Sequence, residues 1–176
     1  MAEKMTSPET TKRSRAQARS FDADPAKEVL RSRPGYLVRR LNQIHYAMFQ
    51  EECGHENITP VQYGILTALS LRPGIDQTEV GMELGLDRTT TADVIKRLEE
   101  KGLARRRVNP DDRRSRQAFI TPEGLKIMKR LYGGMVAASD RMLESLQPAD
   151  RKKFVELLKV VVDANDQYGR ASIRGL

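Results

Sequence analysis

One stretch constrains the fold more than any other. Residues 77–84 (Gln-Thr-Glu-Val-Gly-Met-Glu-Leu) have the make-up of a short helix, and Gly85-Leu86-Asp87 forms a tight turn. Asp87 then caps a longer helix over 88–101, which Gly102 ends. Two helices joined by a short glycine-containing turn are the helix-turn-helix pattern. On a helical wheel, Val94, Ile95 and Leu98 cluster on one face with Thr91 beside them, and that face must pack on a core. The opposite face carries Thr89, Ala92, Asp93 and Lys96, with Arg88 and Arg97 on its flanks and the Thr90 hydroxyl at the helix start. Such a helix suits a DNA major groove. Arginine and lysine address guanine, threonine meets a phosphate or a thymine methyl, and a helix N-terminus holds a phosphate. The alternative for this segment alone is an ordinary amphipathic surface helix.

After Gly102 the period changes. Leu103–Val108 and Arg116–Thr121 have strand character, and Asn109-Pro110-Asp111-Asp112-Arg113-Arg114-Ser115 between them is rich in turn formers. The result is a β-hairpin whose segment 103–116 holds six arginines against two acids. A second helix followed by a basic two-stranded projection is a winged helix. An arginine at the wing tip (Arg113 or Arg114) can enter a narrow minor groove, where the potential is most negative. Asp112 stands two residues before Arg114, the spacing at which a carboxylate could hold the guanidinium fork.

The remaining segments are helical. Pro34 opens a helix over about 34–53 in which Leu37, Leu41, Ile44 and Met48 recur at spacings of four, three and four, and Gly54 is its expected end. Thr59-Pro60-Val61-Gln62 reads as an N-cap, a proline at the first position and a capping-box glutamine, with Ile65, Leu66 and Leu69 on the buried face until Pro73-Gly74. Thr121-Pro122-Glu123 starts another helix, in which Leu125, Met128, Tyr132, Met135, Ser139 and Met142 recur to about 145; a last helix runs over about 149–168. The fold class is therefore mainly α with a small β-hairpin wing. The domain reading is a basic flexible tail over 1–33, a first dimerisation helix over 34–58, a winged helix-turn-helix lobe over 59–121 and C-terminal dimerisation helices over 122–176. Long amphipathic terminal helices exceed what a small lobe can cover, and a two-fold interface with a second copy would bury them.

Composition agrees with a nucleic-acid partner. The chain of 176 residues carries 31 Lys+Arg against 24 Asp+Glu, a net charge of +7. In the tail, eight basic residues oppose five acids, either as a solvated arm or as one that tracks phosphates. The single cysteine, Cys53, excludes an intrachain disulfide framework. No apolar run approaches the ~20 residues of a membrane span, and the polar N-terminus lacks a signal peptide. The expectation is a cytoplasmic protein with no membrane partner. Enzyme fingerprints such as G-x-S-x-G, a P-loop or H-E-x-x-H are absent, so no catalytic residues, cofactor or metal are expected.

The run Gln77–Thr91, then Leu98-Glu99-Glu100-Lys101-Gly102-Leu103, Asn109–Arg114 and Ile120-Thr121-Pro122-Glu123-Gly124 resembles the MarR family of transcriptional regulators. The likeness extends over about 35–168. It implies a dimer closed by the first and last two helices, a recognition helix over 88–101 and an Asp-x-Arg wing at Asp112 and Arg114. DNA contacts then fall to Arg88, Thr89, Thr90, Asp93, Lys96, Arg97, Asp112, Arg113 and Arg114, on a palindromic operator. Asp93 departs from the family's habit of a non-acidic residue there, and reads a cytosine amino group or pairs with Arg97. The resemblance also implies repression relieved by a small ligand, aromatic or of acyl-CoA type, bound between the dimer helices and the lobe. Tyr36, Arg40, His45, Tyr63 and Tyr132 are the candidate ligand contacts. Two alternatives stand beside this one: redox sensing through Cys53, and an architectural DNA-binding protein without a ligand. Glu51, Glu52 and Glu56 around Cys53 weigh against a reactive thiolate.

Overall fold

The computed structural model describes residues 29–169, so most of the expected tail lies outside the described residues. Residues up to Arg39 and from Arg40 onward form two units. The first includes the opening turns of helix α1 (Pro34–Cys53), where Leu37 and Val38 are exposed. The second holds the core. Its elements run α1, α2 (Pro60–Leu71), β1 (Ile75–Asp76), α3 (Gln77–Leu84), α4 (Arg88–Glu100), β2 (Ala104–Val108), β3 (Arg116–Ile120), α5 (Pro122–Met142) and α6 (Pro148–Asn165).

Local chemistry sets each boundary. Thr59 and Gln62 form a reciprocal capping box: the Gln62 N–H donates to the Thr59 hydroxyl at 3.2 Å, and the Thr59 N–H donates to Gln62 Oε1 at 3.1 Å. Asp76 and Asp87 cap α3 and α4 through N–H bonds from Thr78 (2.6 Å) and Thr90 (2.8 Å). Gly85 ends α3 in the left-handed conformation, at φ 63°. Helix α1 ends at Cys53, just before Gly54 as expected. A 3₁₀ turn over Gly54–Glu56 follows, closed by Asn57 in the left-handed region at φ 52°, which asparagine tolerates better than most side chains.

The sheet has three antiparallel strands in the order β1-β3-β2, with Arg106 opposite Ala118 and Ile75 also opposite Ala118. The sequence reading had a two-stranded wing; β1 adds two residues that anchor β3 to the start of α3. The core joins all the lobe's helices: Ile65, Leu66 and Leu69 of α2, Val80 of α3, Ile95 and Leu98 of α4, Ala118 of β3 and Leu131 of α5 are almost wholly buried. Phe49 and Cys53 bring the end of α1 into the same cluster.

Helix α5 buries Gly124, Leu131 and Ala138. Of the expected apolar series, Met128 and Met135 pack against the core, while Tyr132 is 61% exposed. The true contact line uses small residues because neighbouring backbone is close. A Cβ on Gly124 would meet the Leu103 carbonyl oxygen at 2.1 Å; one on Gly134 would meet Cys53 Sγ at 2.9 Å and the Glu52 carbonyl oxygen at 3.0 Å. Ion pairs Arg141–Glu51 (2.8 Å), Arg141–Glu52 and Arg130–Glu56 tie α5 to α1 and the turn that follows it. Helix α6 has no buried residue, and Val155, Leu157, Val160 and Val161 are each more than 40% exposed.

Candidate nucleic-acid interface

Helix α4 is held by its hidden face. Thr91, Ile95 and Leu98 are buried, and Val94 is partly buried against the core. The Thr91 hydroxyl donates to the Asp87 carbonyl at 2.8 Å. Gly81 of α3 lies so close that an added Cβ would stand 2.8 Å from Thr91 Oγ1 and 2.9 Å from the Leu86 carbonyl oxygen. A glycine is what lets the two helices approach this near. The angle between them is thereby set by packing, and the opposite face of α4 is left to solvent.

That face carries most of the side chains expected there. Arg88, Thr89, Asp93, Lys96 and Arg97 are exposed. Thr90 is half-buried, and its hydroxyl donates to Asp87 Oδ2 at 2.8 Å, so it serves the cap. Lys96 pairs with Glu100 at 3.8 Å across one turn. Arg97 lines a shallow polar hollow shared with Thr59 and Gln62 at the start of α2. Among the described residues no ion pair joins Asp93 to Arg97, so the acid faces solvent directly.

The wing departs from the sequence reading in two respects. Asp112 does not grip the Arg114 guanidinium. Its Oδ1 accepts the backbone N–H of Arg114 at 2.9 Å, which shapes the turn. Nor are all six arginines of the hairpin free for DNA. Arg106 is half-buried and spends its guanidinium on Glu99 and Gln77. Arg105 and Arg107 each lie 5.4 Å from the centre of the Phe119 ring on the outer face of the sheet. Arg113, Arg114 and Arg116 remain exposed.

A polar hollow of about 440 Å³ lies between the turn of the wing and the helix-turn-helix. Arg88, Arg114 and Arg116 line it, with Asp76, Glu79 and Asp112. The Ser115 hydroxyl donates to Asp76 Oδ2 at its floor. Burial works to raise the Asp76 carboxyl, but bonds from Ser115, Thr78 and the Glu79 N–H overcome it and leave the group below the usual carboxylate range.

A second, apolar cavity of about 380 Å³ lies under the lobe, walled by His45 and Phe49 of α1, Tyr63, Thr67 and Ala68 of α2, Glu83 and Leu84 of α3 and Met135 of α5. Two of the five expected ligand residues, His45 and Tyr63, are brought together here. Tyr36, Arg40 and Tyr132 are not among its walls; Arg40 is exposed and donates to Gln43 Oε1 at 3.1 Å. Burial pushes the Tyr63 phenol up, keeping it neutral and able to donate. Its ring meets Phe49 edge-on, with centroids 6.1 Å apart. Glu83 and Leu84 were not anticipated, since periodicity alone does not reveal which end of α3 faces a cavity. Cys53 is fully buried, its thiol 3.8 Å from the Leu131 carbonyl oxygen. Burial first, and then Glu52, push its pKa up, the opposite of what a redox-sensing thiolate needs.

Comparison with known proteins bears on about three quarters of the chain. A family model described as MarR family matches residues 56–115. The crystal structure of the PcaV transcriptional regulator from Streptomyces coelicolor in complex with its natural ligand is 37% identical, with a TM-score of 0.72, and the match covers 77% of this chain and 95% of that one. BpsR of Bordetella bronchiseptica, described in a structure on regulation of its DNA binding by 6-hydroxynicotinic acid, is 28% identical with a TM-score of 0.71, covering 75% and 94%. The transcriptional regulator HosA of Escherichia coli O111:H- is 29% identical over 77% of this chain and 99% of its own length. No described helix is long and apolar enough to cross a membrane.

Proposed function

The chain belongs to the MarR family of transcriptional regulators, and from that premise we propose that it is a dimeric, sequence-specific DNA-binding repressor released by a small aromatic acid. The observation that carries the reading is the joint presentation, on one lobe, of an exposed polar face on α4 and an arginine-bearing wing 109–116. Arg88, Thr89, Asp93, Lys96 and Arg97 are assigned to the major groove, and Arg113 and Arg114 to the adjacent minor groove or its phosphates. Thr90 and Asp112 act indirectly, by capping α4 and shaping the wing turn. The uncovered apolar side chains of α1 and α6 support a two-fold interface built from 34–58 and 122–176. Two recognition helices then meet a palindrome with half-sites about 34 Å apart.

The apolar cavity supports the ligand part of the reading. About 380 Å³ suits a single substituted ring, which favours an aromatic acid over an intact acyl-CoA. The half-buried imidazole of His45 is placed to meet a carboxylate, and the neutral Tyr63 to donate to it. BpsR, whose DNA binding is regulated by 6-hydroxynicotinic acid, supplies a precedent for that chemistry.

The test is selection from a random duplex pool by the full-length chain, followed by titration of the enriched duplex with aromatic acids. The expected result is an enriched palindrome, released by at least one acid and by none when His45→Ala and Tyr63→Phe are combined. An unenriched pool overturns the DNA-reading assignment. An enriched duplex that no aromatic acid releases overturns the ligand assignment.

A further inference from the structure

Arg106 presents a puzzle in a chain whose other wing arginines stay exposed. It lies on β2, the edge strand of the sheet, where an outward N–H would otherwise have only water as acceptor. Instead one carboxylate, Glu99 of the recognition helix, takes both ends of the residue. The Arg106 backbone N–H donates to Glu99 Oε1 at 2.6 Å, and Nε donates to Oε2 at 2.8 Å; Nη2 stands 2.6 Å from the same Oε2. The remaining nitrogen, Nη1, donates to Gln77 Oε1 at 3.2 Å, at the first residue of α3. The two charged side chains are 24% and 27% exposed, so solvent screens them less than the lobe's other ion pairs, whose side chains are 37–65% exposed. Both carboxylate oxygens and three guanidinium nitrogens are committed. A lysine could not reproduce that fork.

We infer that the Glu99–Arg106–Gln77 cluster is a specificity-determining brace that locks the wing to the recognition helix, so that major-groove and minor-groove contacts are made by one rigid body. The inference rests on the DNA-binding reading above. Its physical content is geometric. The inner strand β3 is already tied to the start of α3 by its pairing with β1 and by the Ser115–Asp76 bond, whereas β2, the outer strand, meets the recognition helix near its root. The brace pins that outer strand midway along its length, between Arg105 and Arg107. A reader with a fixed span accepts only duplexes whose minor groove lies where the wing arrives, and so discriminates by DNA shape. A reader with a loose wing keeps its charge and loses that discrimination. The three residues are positioning residues; none needs to touch DNA.

Charge and geometry predict opposite signs for one substitution. Glu99→Gln removes a negative charge from the DNA-facing lobe, so electrostatics alone would tighten binding to any duplex. The brace predicts that Glu99→Gln weakens binding to the enriched duplex by about tenfold, while affinity for a scrambled duplex stays equal or rises. Arg106→Lys keeps the charge, and is expected to lose specificity similarly with an unchanged salt slope. Gln77→Ala, which removes only the third partner and leaves the ion pair intact, lowers the ratio by about two- to threefold and guards against loss of folding in the other two. Amide exchange at 104–108 in the DNA-free chain rises in all three variants. If Glu99→Gln binds the enriched duplex as tightly as the natural chain, or if Arg106→Lys retains its specificity ratio, the brace is overturned. A pool that never enriches is the separate failure of the DNA-binding reading, and the amide-exchange arm then still tests the lock itself: unchanged exchange at 104–108 overturns it.

Discussion

Helices α2 and α6 are both amphipathic, yet the fold uses them in opposite ways. Helix α2 buries half of its twelve residues, with Ile65, Leu66 and Leu69 wholly out of water. Helix α6 has eighteen residues and buries none, although it carries a comparable apolar set in Val155, Leu157, Leu158 and Val160–Val162. The difference teaches where one chain's fold ends. The winged lobe closes its own core, with capped helices and a sheet edge covered by Glu99. The terminal helices carry hydrophobic faces that a single copy leaves in water, at about 25 cal/mol per Å² of apolar surface.

The comparison can be broken most forcefully at α6. Leu157→Glu combined with Val161→Glu places charges one turn apart on the exposed face. The expected result is a monomer by analytical ultracentrifugation and an operator affinity reduced by about a hundredfold or more, because two half-sites would be bound independently. Retained dimers would show that the interface lies elsewhere. In the lobe, Leu66→Ala leaves a cavity and is expected to cost about 2–5 kcal/mol in urea unfolding, whereas Val160→Ala in a monomeric background should cost far less. Asp87→Ala removes the cap of α4 together with the Thr90 hydroxyl's acceptor, for a loss of about 1 kcal/mol by thermal melting.

The smallest effect is a pH dependence. Asp76 titrates below its ordinary value in the folded chain, so the folded state binds that proton less readily than the unfolded one. Its contribution is present above the usual carboxylate range and is lost as pH falls through the depressed value. Asp76→Asn should flatten that acid limb of the stability curve, lying slightly below the natural chain at neutral pH and converging with it as pH falls through the depressed value. An unchanged acid limb would show that the Ser115 and Thr78 bonds do not hold the ionised form.

Much of the lobe was legible in the sequence because its signals are local. Asp87, Gly85, Thr59-Pro60-Val61-Gln62 and Gly102 each announce a boundary through the chemistry of a few neighbours, and all four boundaries stand to within a residue. What escaped depended on contacts between distant segments. Two residues of β1 pair with β3 some forty positions later, and no local pattern marks them. Gly124 and Gly134 are contact points on α5 because backbone arrives there from elsewhere, so a search for large apolar side chains passed over them and chose the exposed Tyr132. Arg106 was indistinguishable from its neighbours in a run of three arginines until its register placed it beside Glu99. For the cavity, His45 and Tyr63 were among the candidate contacts, whereas Glu83 and Leu84 depend on how α3 docks.

Helix α5 bears on its surroundings at two glycines, ten positions and so about 15 Å apart. At Gly124 it rests on the carbonyl of Leu103, where the wing begins; at Gly134 it rests on the end of α1 at Cys53. Neither bearing has room for a methyl group, and the rod between them is continuous helix. A mechanism with two tight bearings has little play. A methyl group at either glycine would have to push that bearing apart, so Gly124→Ala and Gly134→Ala should each disturb the seat of the whole helix. Met135, one residue past the second bearing, is also a wall of the apolar cavity. The cavity wall and the wing root are thus joined by one helix that has no slack at either contact.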